Sequence, residues 1–227
     1  MYDITYLDSI AFIYFFIAIL GYGWFTIYGP MKDKNISAGV HMERHQWMKT
    51  MVDRENRMVD LIILSNLSQG NAFFASTAIV IVGALAATLG SGYQFNAVLE
   101  HIPFTSSTET YIFNSKLIFI MIIFLVAFFK FAWAYRLTHY TSIMMGATPL
   151  RKEDNETQCC DHAYRVGELA GLAGKHSNSG LHTYYYGIAA CGWFINGYIF
   201  MAATTLVVLV LYRREFHSKG LKIITTR

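Results

Sequence analysis

His41 and His45 stand four residues apart with Glu43 between them, as HMERH. On a helix this spacing puts both imidazoles on one face, where they can share a metal ion. The zinc-protease pattern requires its glutamate directly after the first histidine, and Met42 holds that place. A working metal site takes three or four protein ligands. The neighbouring sequence offers no obvious third, so His41 and His45 are weak metal candidates and no metal or other cofactor is expected. None of the eight histidines lies centrally in an apolar run, which argues against axial haem ligation inside a helical bundle. There is no GxSxG, P-loop or dinucleotide fingerprint, so hydrolase, ATPase and dehydrogenase readings lack support and no residue is assigned a catalytic role.

The densest ionic cluster is Asp53, Arg54, Glu55, Arg57 and Asp60. At helical spacing Asp53 pairs with Arg57 and Arg57 with Asp60, contacts worth a few tenths of a kcal/mol where exposed. Asp60 opens an uncharged run from Leu61 to Leu99. Downstream, Lys130 sits inside an apolar stretch, where an ammonium either snorkels to the interface or marks function; Asp60 or Glu55 is its expected counter-charge. The candidate polar site is therefore Arg44, Glu55, Arg57, Asp60, Asn66, Gln69, Asn71, Lys130 and Asn196. Arg44 is expected to reach Glu55 through a neighbour. Arg44, Arg57 and Arg165 are the residues able to hold an anion.

The elements that must carry these groups are membrane helices. With 54% hydrophobic and 16% aromatic residues, the chain is richer in apolar side chains than soluble domains usually are. The fold class is all-α: a polytopic, single-domain membrane protein with about four transmembrane helices plus cytoplasmic amphipathic helices. The spans fall at about 10–28, 72–91, 116–135 and 186–212, each near the ~20 residues a bilayer needs. The amphipathic segments lie at about 37–67 and 155–178. In the first of these Val40, Trp47, Met48, Met51, Val52, Met58, Val59 and Ile62 recur on one side. Ser68-Gln69-Gly70-Asn71 is the expected break before the second span, because Gly, Ser and Asn weaken a helix interior. In the second segment Ala163, Gly167 and Gly171 recur every fourth residue, which lets another helix approach closely.

Lys and Arg gather in the two long polar segments, which the positive-inside rule assigns to the cytoplasm. Tyr93 to Ser115, with Glu100 and Glu109 and no Lys or Arg, reads as an extracytoplasmic loop. Four spans put both termini outside, although the cations of the tail favour the cytoplasm; an odd span count is the alternative. The N-terminus lacks a signal-peptide pattern, so the first span is expected to stay in the mature chain. A formal charge of +3 without a basic block gives no case for nucleic acid. Membrane lipid, a protein partner or a second copy are the expected partners. Cys159, Cys160 and Cys191 form neither a disulfide framework nor a CxxC site.

RHQWM, RENRMVDLIILSNLSQGNAFFASTAIVIVG, YIFNSKLIFIMIIFLVAFFKFAWAYRL and LHTYYYGIAACGWFINGYIF with LYRREFHS resemble a family of multi-pass membrane proteins of bacteria and plants catalogued only as a domain of unknown function. The resemblance covers nearly the whole chain. It implies a membrane location and about four spans, and it lends no activity, substrate or cofactor. Its positions here are Arg44, Gln46, Arg54, Asn56, Arg57, Asp60, Asn66, Gln69, Asn71, Asn114, Tyr185, Asn196, Arg214, Glu215 and Phe216. The expected function is a non-enzymatic scaffold or a lipid- or partner-binding module with a polar cytoplasmic belt, in a bacterial inner (plasma) membrane. A small-molecule or ion pathway and an interfacial enzyme acting on an anionic amphipathic substrate are the alternatives.

Overall fold

Why the apolar runs become helices rather than strands follows from their length: strands are short, whereas uninterrupted apolar runs of twenty or more residues satisfy their own backbone only as helices. The computed structural model describes residues 2–31, 34–90 and 110–225, and among these there is no strand. In order come α1 (Tyr2–Tyr28), α2 (Ile36–Met51), α3 (Met58–Gly90), α4 (Thr110–Gly146), α5 (Glu156–Cys191), a 3-10 turn (Gly192–Phe194), α6 (Gly197–Phe216) and α7 (Lys219–Thr225). The loop expected within Tyr93–Ser115 falls mostly outside the described residues.

Three helices are long and apolar enough to cross a membrane: Tyr6–Thr26, Met58–Gly90 and Tyr111–Gly146. Only 11% of the apolar window on α3 is buried within the protein, so the remaining surface needs a hydrocarbon solvent. Three helices, α3, α4 and α5, run the length of the bundle, and the shorter α1 and α6 pack beside them in its apolar part. Contacts fix their direction. Asp8 of α1 meets Lys116 of α4 and Trp193 after α5 at one end, while Phe25 meets Phe216 and Arg57 meets the end of α4 at the other. The start of α1 and the helix α7 therefore lie at opposite ends of the bundle.

Among the described residues, Lys116 is the sole Lys or Arg near the first of these ends, here the far end; Lys130 sits partway along, and the others gather at the basic end. At ~1.5 Å per residue, α3, α4 and α5 are roughly 50–55 Å long against a hydrocarbon core of about 30 Å. Their surplus length, with α2 and α7, builds a second storey. Each storey has its own core. In the apolar storey Phe15, Phe124, Trp193 and Phe200 interlock. In the basic storey Met48, Met51, Val52, Leu64, Met145 and Val166 close the space between α2, α3, α4 and α5.

Three helix boundaries differ from the sequence reading. The segment expected as one helix over 37–67 breaks at residues 52–57, where Asn56 Oδ1 accepts from Met58 N at 2.9 Å and starts α3 afresh. Hence the apolar stripe holds only to Val52; Met58, Val59 and Ile62 are exposed. No break occurs at 68–71. Asn71 and Ser68 are buried and bonded to Ser177 and His139, and these side-chain contacts outweigh their weak helix propensity. Finally, 186–212 is not one helix. The segment at 155–178 runs unbroken to Cys191, and the chain then reverses at Gly192–Asn196, where Asn196 Oδ1 caps α6 by accepting from Ile199 N at 2.8 Å.

Candidate functional site

The seam between α2 and α5 gathers the chemistry of the basic storey. Asn35 starts α2 by accepting from Ala38 N at 2.7 Å, which orients the helix so that His41, Arg44 and His45 face α5. They fit because α5 presents glycines there. A Cβ on Gly167 would crowd the His45 ring, one on Gly171 would overlap the His41 ring, and one on Gly174 would overlap the Arg44 guanidinium. Two members of the four-residue recurrence read from the sequence, Gly167 and Gly171, thus seat the two imidazoles, and Gly174, outside that recurrence, seats Arg44.

His45 Nε2 lies 2.9 Å from Glu168 Oε1, and His41 Nε2 lies 3.5 Å from the same oxygen. His45 stacks on Tyr164 at 5.0 Å between centroids and stands edge-on to His41 at 4.7 Å. Glu168 is the third group that the sequence around HMERH did not offer; it comes from α5, 123 residues further along. Its only signal in sequence is that it sits one residue after Gly167 on the face that α2 contacts. His41 Nδ1 is buried without a hydrogen-bond partner. Burial chiefly, then His45, Lys175 and Arg44, push His41 below the ordinary histidine pKa against the opposing pull of Glu168.

Arg44 is half-buried and has neither a carboxylate nor a hydrogen-bond partner among the described residues; burial lowers its pKa. It borders two spaces. One is a small cavity of ≈ 60 Å³ towards Leu64, Asn71 and Thr141. The other is a cleft of ≈ 270 Å³ lined by Ile36, Ser37, His41, Lys175, Asn178 and Leu181 among others. Below the cleft Asn178 donates to Ser37 Oγ at 3.1 Å, and the buried Glu215 carboxyl faces both residues.

The other candidate groups are placed as follows. Asp60 is fully buried, but it accepts from Trp47 Nε1 at 2.6 Å and pairs with Arg54, so it does not reach Lys130. Lys130 donates to Thr183 Oγ1 at 2.8 Å. Arg57 does not pair with Asp53 or Asp60. Its guanidinium caps the end of α4 by donating to the carbonyls of Met145, Thr148 and Pro149, while Asp53 pairs with Arg151 at 3.2 Å. Glu55 is exposed in the turn, away from Arg44. Asn66 and Gln69 are exposed, the latter donating to Ser65 at 3.3 Å. Asn71 accepts from Ser177 at 2.7 Å, and Asn196 is the α6 cap. Arg165 is exposed beside His162. Of the groups singled out in sequence, the fold brings together Arg44, His41 and His45, and uses Asp60, Arg57, Asn71, Lys130 and Asn196 to fasten helices.

At the far end is a buried pair that sequence reading passed over. Lys116 Nζ lies 2.8 Å from Asp8 Oδ2, off hydrogen-bond alignment, and both side chains are buried. Trp193 Nε1 donates to Asp8 Oδ1 at 2.7 Å and its ring lies 5.2 Å from the ammonium.

Residues 10–220 match the model of a family described as a protein of unknown function, DUF599. The chain belongs to that family. The expected membership is thus met over nearly the full length, and the DUF599 chain carries three helices suited to a membrane, which supports its multi-pass membrane character. No curated protein and no solved structure matches it.

Proposed function

We propose that this DUF599 protein is a non-enzymatic, membrane-integral binding module whose basic-end cleft takes a phosphate-bearing lipid headgroup. The observation that carries this reading is Arg44: a guanidinium set into a helix seam, without a counter-charge among the described residues, on the wall of a cleft. An arginine fork offers bidentate hydrogen bonds to a phosphate. Lys175 adds a second cation to the rim, and Ile36, Val40 and Leu181 give the same cleft an apolar side suited to the glycerol and first methylenes. The cleft lies in the storey next to the apolar helices, where a headgroup would stand, and the positive-inside rule places this storey in the cytoplasm. Transport finds less support, because Lys130 and Asp60 are committed to Thr183, Trp47 and Arg54.

Native mass spectrometry of the full chain in mild detergent tests the proposal. With phosphatidylglycerol and phosphatidylcholine supplied together, the protein is expected to retain the anionic lipid and Arg44→Gln to lose it. Equal retention of both lipids, or retention unaffected by Arg44→Gln, would overturn the reading. Displacement by inorganic phosphate alone would show that the cleft recognises the free ion and not a lipid.

A further inference from the structure

We infer that His41 Nε2, His45 Nε2 and Glu168 Oε1 form a binding site for a divalent transition-metal ion of the zinc class, bridging α2 and α5. All three donor atoms lie within 4.8 Å of one another. Ligand bonds of about 2.0–2.2 Å in tetrahedral geometry hold neighbouring donors roughly 3.3–3.6 Å apart; the His41 Nε2-to-Oε1 separation of 3.5 Å lies in that range, and the His45 separation of 2.9 Å is shorter and would have to open on binding. A hydrogen bond explains the His45 contact. It does not explain His41, whose Nε2 points at the same oxygen from beyond good hydrogen-bond range.

The rings are also held as ligands need to be held. Gly167 and Gly171 leave room for them, Tyr164 stacks on His45, and the two imidazoles brace each other edge-on. Two imidazoles and one carboxylate suit borderline divalent ions such as zinc or cobalt(II) and disfavour calcium and magnesium, which take oxygen. Three protein ligands leave a fourth position.

The experiment uses the full chain in detergent, stripped of metal by chelator. Cobalt(II) is added as the spectroscopic probe, zinc is then used to displace it, and bound metal is counted by elemental analysis. The expected result is one zinc per chain with the visible bands of low-coordinate cobalt. Glu168→Gln and His45→Asn should each weaken zinc at least as much as the roughly tenfold loss typical of outer-shell changes, and Glu168→Asp should fall between them and the unaltered protein. Circular dichroism confirms that the variants remain helical. Arg44→Gln should bind zinc normally, so the two sites fail independently. Substoichiometric uptake by the unaltered chain overturns the inference, whatever the variants do. Uptake abolished by Cys159→Ser and Cys160→Ser, and indifferent to Glu168→Gln, also overturns it.

Discussion

At the far end Lys116 and Asp8 are both buried and balance each other's charge, while Trp193 donates to Asp8 and accepts from Lys116 through its carbonyl, tying α1, α4 and the turn after α5 together. At the basic end Asp60 does the same job with Trp47 and Arg54, joining α2 to α3. Beside that second clamp, however, Arg44 has no counter-charge among the described residues, and His41 Nδ1 is buried without a hydrogen bond and without a charged partner of its own. A carboxylate, a tryptophan N–H and a cation make a charge-balanced set, even though Asp8 Oδ2 and Asp60 Oδ2 each lack a hydrogen bond, and such sets fasten helices. A cation or imidazole left open in a seam contributes little to fastening and is available to a ligand. The difference separates structural from functional polarity better than the mere presence of charge in an apolar chain.

The clamp is where the largest effect is expected. Lys116→Met leaves Asp8 buried without its cation, which typically costs about 3–5 kcal/mol, read as a large fall in the thermal unfolding temperature in detergent. The double variant Asp8→Leu with Lys116→Met should recover most of that loss, since a buried pair is often replaceable by apolar packing. An undiminished unfolding temperature for Lys116→Met would mean that the clamp does not hold the far end.

A smaller effect is expected at the seam. Gly171→Ala drives a methyl into the His41 ring and should cost about 1–3 kcal/mol by overpacking. Gly70→Ala on α3, with open space around it, should stabilise by roughly 0.5–1 kcal/mol. Chemical denaturation of the two variants side by side checks the contrast, and equal responses would remove the argument that α2 needs the α5 glycines. Arg44→Gln should leave the unfolding temperature unchanged or slightly raised while abolishing anionic-lipid retention. A marked loss of stability would place Arg44 with the clamps.

The smallest effect concerns pH. Burial raises the Glu215 carboxyl above the usual glutamate range, against hydrogen bonds from Ser37 and Asn178 and the charge of Arg214. A group whose folded pKa is raised contributes stability fully present below its unfolded value, near 4.3, and lost as pH rises through the folded one. Glu215→Gln should therefore flatten the decline in stability above about pH 4. An unchanged pH profile would show that Glu215 finds its compensation in the folded protein.

How far the sequence could be read follows the same division. The apolar runs of α1, α4 and the second half of α3 were legible because lipid-facing surface needs only composition and length. The break at 52–57 was hidden because apolar residues continue at helical spacing on both sides of it and no Gly or Pro punctuates it. The continuity of α3 through Ser68–Asn71 depends on partners in α4 and α5, which local propensity does not contain. His41, His45 and Arg44 were visible as types and spacing. Glu168 was not, since only the packing of α5 against α2 brings it within reach, and the glycine recurrence said that a helix approaches without saying which. The Asp8 and Lys116 pair was missed for the same reason: each looked like an ordinary charge at the mouth of a span.

The uninterrupted course of α5 has one more consequence. From Glu156 to Cys191 it has no hinge, and at ~1.5 Å per residue it is a rod of roughly 54 Å. Pivoted at its tip beside Trp193, such a rod turns a tilt of only about 5° into roughly 5 Å of sideways travel at its opposite tip, by the geometry of a stiff helix. Whatever wedges between α2 and α5 therefore works with the leverage of a crowbar on the apolar storey below.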